Sequence, residues 1–203
     1  MPTISWIVFD LGGIVVPESG SRIVADLAGR LGIPVDRLNQ AIAVYHDSAT
    51  KGRLSLLQLY EGVVRDLRLT AEPQALLDRH LAIYKEFSAR LNQNVLTLIK
   101  RLRKDYGVAC LTNTEREIAE LSKTTGVFEC FDRCYVSTEL GFRKPEAAAY
   151  RLVLDDLACP PGQILFVDDR VENVQGARAV GLYAVQFVTL PQLEADLVEF
   201  RPI

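Results

Sequence analysis

Three short apolar runs, at 4–9, 108–111 and 164–167, each stop at residues that carry chemistry: Asp10, then Thr112 and Asn113, then Asp168 and Asp169. The runs are rich in β-branched and aromatic side chains and too short for buried helices, so they read as core strands. Two more strands are predicted at 133–136 and 183–187. Helical period fills 95–106, 115–125, 145–157, 171–180 and 191–199. Strands that alternate with helices imply a parallel sheet covered on both faces, an α/β, Rossmann-like doubly wound core. Ligands of such sheets collect beyond the carboxyl ends of the strands. All three runs deliver their polar residues there.

Between the first run and the second, the character of the chain changes. Residues 21–30, 35–48, 56–67 and 72–87 are helical in period, with breaks at Gly32 and Pro34 and at Lys51-Gly52-Arg53. Ser55 with Gln58 has the spacing of a capping box, and so does Thr114 with Glu117. The expected organisation is a discontinuous core, 1–16 and 93–203, holding an all-helical insert over 17–92. No internal repeat or low-complexity linker divides the chain further.

Each strand end has a functional reading beside a plain one. Asp10 enters a loop of bare backbone at Gly12-Gly13, which suits a nucleophile and equally suits a turn. Thr112 and Asn113 precede a helix start, where a hydroxyl and backbone donors could hold a phosphate. Lys144, between Gly141 and Pro145, is a compact positive charge able to neutralise an anion; Pro145 suits a first helical turn. Asp168 and Asp169 repel each other unless a cation lies close by. Magnesium, which takes oxygen ligands and keeps several waters, would supply that charge.

Taken in order, Phe9-Asp10-Leu11-Gly12-Gly13, Leu111-Thr112-Asn113, Arg143-Lys144-Pro145 and Val167-Asp168-Asp169 resemble the four motifs of the haloacid dehalogenase superfamily, along essentially the whole chain. The resemblance implies a helical cap over the catalytic face and a Mg2+-dependent phosphatase acting on a small phosphorylated metabolite. Asp10 would be nucleophile and metal ligand, Gly12 would offer its carbonyl to the metal, and Asp169 would be the second carboxylate ligand. Thr112, Asn113 and Lys144 would hold the phosphoryl oxygens, and Asp168 would support the metal site. The wording of the first and third motifs looks like the branch containing sugar-1-phosphate phosphatases.

Gly12 departs from the pattern. Most phosphatases of the superfamily carry a second Asp there as general acid and base, a role worth a factor of about 100 to 10,000. Its loss favours leaving groups that need little protonation, such as anomeric, aryl or acyl oxygens. His46 and Glu18 are candidate outside donors. Tyr45, His46, Lys51 and Arg53 flank the break in the insert and are candidate substrate contacts. Two other readings are 2-haloacid dehalogenation, which uses the same Asp and Lys on carbon without metal, and a non-catalytic phosphometabolite-binding protein.

The formal charge of −3 provides no basic field for nucleic acid or an anionic membrane surface. No apolar run is long enough to span a bilayer. Cys110, Cys130, Cys134 and Cys159 lie in or beside apolar segments and are expected to be buried thiols rather than zinc ligands. With no basic leader ahead of the first strand, a reducing cytoplasm is the expected compartment.

Overall fold

The computed structural model describes residues 4–200. Five parallel strands form one sheet in the order β3-β2-β1-β4-β5: β1 (Trp6–Phe9), β2 (Gly107–Thr112), β3 (Arg133–Val136), β4 (Ile164–Asp168) and β5 (Tyr183–Gln186). The chain starts at the centre, moves outward through β2 and β3, then returns to β4 on the other flank of β1. The order therefore reverses between β1 and β4, and Asp10 and Asp168 stand at that crevice, where open α/β sheets bind their ligands.

Alternation along each strand builds two cores. Ile7, Phe9, Val108, Cys110, Leu165 and Val167 face one side of the sheet. Val8, Ala109, Leu111, Ile164 and Phe166 face the other, as the period of two requires. Helices α5 (Gln93–Leu102) and α10 (Leu190–Glu199) cover the first side, and α8 (Ala147–Leu157) and α9 (Val171–Ala179) cover the second.

The insert is four helices, α1 (Gly20–Leu31), α2 (Val35–Thr50), α3 (Leu56–Leu67) and α4 (Pro73–Ser88), packed on one another. Ser55 and Gln58 form the expected capping box on α3. The insert also touches the core: Tyr84 Oη lies 2.7 Å from Ser122 Oγ of α6 (Arg116–Thr124). No helix among the described residues is long and apolar enough to cross a membrane.

Two local expectations fail. The capping box at Thr114 and Glu117 does not form, because the chain turns one residue later, with Glu115 at the N-cap position. Thr114 N–H donates instead to Ser137 Oγ at 3.0 Å, and Glu117 Oε1 accepts from Leu56 N–H of the insert at 3.1 Å. Pro145 does not open α8: the Lys144–Pro145 bond is cis, and the helix starts at Ala147. A short helix, α7 (Ser137–Leu140), follows β3 and had no signal in the sequence. Cys110 is buried, whereas Cys130, Cys134 and Cys159 are half-buried; all four are free thiols.

Candidate active site

The end of β1 holds Asp10 through its backbone, whose N–H donates to Val167 O of β4 at 2.8 Å. The chain then folds tightly on itself: Val15 and Val16 both donate to Leu11 O at 2.9 Å. Gly13 sits at φ +73°, and a Cβ there would fall 2.2 Å from Asp169 Oδ2. The glycine is what lets the Asp10 loop approach the second carboxylate.

Lys144 is 1 % exposed. Its Nζ lies 2.7 Å from Asp10 Oδ1 and 2.7 Å from Asp168 Oδ2, and 5.4 Å from the centre of the Phe166 ring. Burial opposes its charge, but the carboxylates of Asp10 and Asp168 outweigh that and hold its pKa above the usual lysine value. Asn113 fixes the lysine from behind. Its Nδ2 donates to Lys144 O at 2.8 Å, and its Oδ1 accepts from Lys144 N–H at 2.9 Å. The Asn113 amide is thus committed to the lysine, and a phosphate would meet only its backbone.

Asp168 is fully buried and densely partnered. Oδ1 accepts from Arg170 N–H and from Asn173 Nδ2, both at 2.9 Å, while Oδ2 accepts from Lys144 Nζ. Nothing in the sequence spacing marked Asn173 as the group that orients this acid. Gln186 Nε2 donates to Asp169 O at 2.9 Å and braces the other half of the pair.

One carboxylate oxygen from each of Asp10, Asp168 and Asp169 lies within 4.8 Å of the others. An all-oxygen donor set of this kind fits a hard cation such as magnesium. Burial, reinforced by the charge of Asp168 and opposed by Lys144, raises the Asp10 pKa to about 6. Burial and Asp168 push Asp169 upward as well. Both shifts describe acids whose charge is disfavoured, first by burial and then by the neighbouring Asp168 carboxylate, which a bound cation would relieve.

A cavity of about 690 Å³ opens over these groups and runs between the sheet and the insert. Asp10, Gly12, Thr112, Asn113, Lys144 and Asp169 all line it. Of the four residues flanking the break in the insert, only His46 does. The period of α2 puts Asn39, Ile42, Ala43 and His46 on one stripe facing the cavity. Tyr45 falls off that stripe; its ring packs on Gly62 of α3 and its hydroxyl donates to Asp66 Oδ2 at 2.5 Å. Lys51 pairs with Asp47 and Glu146, and Arg53 is exposed.

Glu18 lines the cavity with its carboxylate engaged by the N–H and Oγ of Ser21 at the start of α1. His46 Nε2 lies 3.7 Å from Glu115 Oε1. Burial, aided by Arg143 and Arg170, lowers the His46 pKa, whereas burial raises that of Glu115. Glu115 also lines the cavity. In the sequence it was visible only as a helix start, because its proximity to His46 depends on how the insert folds back.

The family profile of haloacid dehalogenase-like hydrolases matches residues 4–181. The D-ribitol-5-phosphate phosphatase of Bacteroides thetaiotaomicron is 26% identical over 196 residues, 89% of this chain and 90% of that protein. The sesquiterpene phosphatase astK of Aspergillus oryzae is 33% identical over 90 residues, 43% of this chain and 46% of the relative. The chain spans between 28% and 46% of the length of four curated relatives that it matches. Among solved structures, the haloacid dehalogenase family enzyme bt-2542 of Bacteroides thetaiotaomicron, in complex with magnesium and inorganic phosphate, superposes with a TM-score of 0.72 at 19% identity, covering 94% of this chain and 98% of that one.

Proposed function

This chain belongs to the haloacid dehalogenase-like hydrolases, and from that premise we propose that it is a magnesium-dependent phosphatase of a small phosphorylated metabolite. The observation that carries the reading is the contact of buried Lys144 with Asp10 and Asp168, beside Asp169. Asp10 is the nucleophile. Leu11 N–H and Lys144 Nζ both engage Oδ1, which leaves Oδ2 to attack phosphorus. The leaving group departs, and water then hydrolyses the aspartyl-phosphate, so that one hard displacement becomes two easier ones.

Asp10, Asp169 and the Gly12 carbonyl would hold magnesium, which supplies charge stabilisation for the transferring phosphoryl group. Lys144, the Thr112 hydroxyl and the Asn113 backbone hold its oxygens, and Asp168 positions Lys144. The insert over 17–92 acts as a cap that limits water and carries residues toward the leaving group. The D-ribitol-5-phosphate phosphatase supports a phosphorylated sugar or polyol as substrate, and the sesquiterpene phosphatase supports an apolar alcohol. The neighbour crystallised with magnesium and phosphate supports the choice of cation.

The test is turnover of labelled para-nitrophenyl phosphate, quenched in acid, with magnesium and with excess chelator. Label should remain covalently on the wild-type protein, and both label and turnover should vanish in Asp10→Asn and in chelator. An Asp10→Asn protein with the wild-type rate would overturn the assignment.

A further inference from the structure

The residues around the cavity divide by origin and by character. Strand-end loops contribute the charges, whereas the helices contribute Ile23, Ile42, Leu59, Tyr60, Tyr84 and Ile118. Polar atoms in the helical wall are paired among themselves. Tyr60 Oη lies 2.7 Å from His80 Nδ1, Tyr84 Oη lies 2.7 Å from Ser122 Oγ, and Ser122 Oγ contacts Ile118 O at 3.0 Å. Burial lowers the pKa of His80 to about 4, so the ring is neutral at pH 7 and adds no charge. The insert's other polar contributions are Glu18, Ser21 and Asn39, which are exposed, and Ser19, a single buried hydroxyl that caps no backbone group of α1. His46 faces Glu115.

A leaving group rich in hydroxyls would lose its water against such a wall and gain few partners beyond the Ser19 hydroxyl, and each unpaired hydroxyl is costly. An apolar one would gain from every methylene that leaves water. Size agrees. The cavity of about 690 Å³ has room for roughly twenty non-hydrogen atoms at the ~30 Å³ that a water occupies. A phosphate accounts for about a quarter of them. The geometry points to phosphate monoesters with an extended apolar leaving group, isoprenoid or aryl, as the substrate class of this cavity. The inference rests on the phosphatase reading and narrows it. An aryl oxygen would also depart without the proton that Gly12 cannot supply.

The experiment is a kcat/KM series with magnesium: isopentenyl, geranyl and farnesyl monophosphates, phenyl and 1-naphthyl phosphates, and ribitol 5-phosphate and glucose 1-phosphate as polar controls. KM should fall about two- to fourfold per methylene that reaches the wall, and the polar controls should lag by at least a hundredfold in kcat/KM. Ile42→Gln should flatten the dependence on chain length. The better of the isoprenoid and aryl arms identifies the source of the apolar group, and either supports the inference. Polar controls that are hydrolysed as fast as the apolar esters would overturn it and leave the phosphatase reading standing. If no ester, para-nitrophenyl phosphate included, is hydrolysed, the phosphatase reading fails, and calorimetry decides the cavity's preference. Tighter binding of farnesyl monophosphate than of ribitol 5-phosphate, with a negative heat-capacity change, would support it; equal or absent binding would overturn it.

Discussion

Asp10 is a carboxylate in a place that disfavours its charge, and that has a consequence in solution. With its pKa raised to about 6 by burial, Asp10 binds a proton over a pH range in which an exposed Asp is ionised. In the proposed metal site the proton and magnesium would compete. Below pH 6 each metal ion bound must displace one proton, so the apparent Kd for magnesium should weaken about tenfold per pH unit, and it should flatten above pH 7. Titration calorimetry between pH 5 and 8 checks this, and a flat profile would remove Asp10 from the metal site. Gly12 permits a complementary gain of function. A Cβ there meets nothing within 4 Å, and its φ is not positive, so the fold has room for the acid that the chain lacks. Gly12→Asp should raise kcat on primary alkyl phosphates by about 100-fold, the lower end of what a general acid supplies, with a smaller effect on aryl esters. Steady-state kinetics on the two ester classes gives the ratio. Residues of this kind were legible in the sequence because each of Asp10, Thr112, Lys144, Asp168 and Asp169 is tied to a strand end or a loop beside one. The partners were not: Asn113 as the clamp of Lys144, Asn173 as the clamp of Asp168 and Glu115 opposite His46 depend on distances between elements.

Elements were read best where local chemistry alone decides them. The α3 helix starts at its capping box as expected because Ser55 and Gln58 satisfy each other's backbone without outside help. Thr114 and Glu117 have the same spacing, but their groups find better partners in other elements. The unexpected α7 supplies one of those partners. Ser137 Oγ, fully buried, donates to Thr50 O at the end of α2 at 2.6 Å and accepts from Thr114 N–H at 3.0 Å. One hydroxyl thereby ties the insert to the loop that follows β2. Close by, a Cβ on Gly52 would fall 2.5 Å from Thr138 O, so the turn after α2 rests directly on α7. Ser137→Ala should leave a buried N–H and a buried carbonyl short of a partner, a loss of about 1–3 kcal/mol. Urea unfolding measures that loss. Faster hydrogen exchange in the last turn of α2 distinguishes a loosened insert from a general weakening, and a KM that rises while kcat holds would place the effect on closure.

At the scale of the whole chain, the insert and the sheet share one hydrophobic core. The cluster containing Phe9, Val108 and Val167 of the sheet continues through Val15 and Val95 to Leu27, Leu56, Tyr60 and Ile83 of the insert. A boundary drawn near residues 17 and 92 separates strands from helices in sequence, yet apolar contact crosses it. Cooperativity follows the contact, so the protein should unfold in one transition rather than in two. The two halves carry separate reporters. Trp6, the only tryptophan, lies in β1 with its ring against Gly107, whereas far-UV circular dichroism is dominated by helices, many of them in the insert. The fluorescence and dichroism curves in urea should superimpose; an early dichroism phase without change at Trp6 would show the insert melting alone. Magnesium with inorganic phosphate at a hundredfold excess over their effective Kd should stabilise the folded chain by about 2.7 kcal/mol. Because the proposed site lies in the cavity lined by both halves, both curves should shift by the same amount. A shift confined to Trp6 would mean that binding engages the sheet without the insert, and the helices would then lose their place as the closing wall of the site.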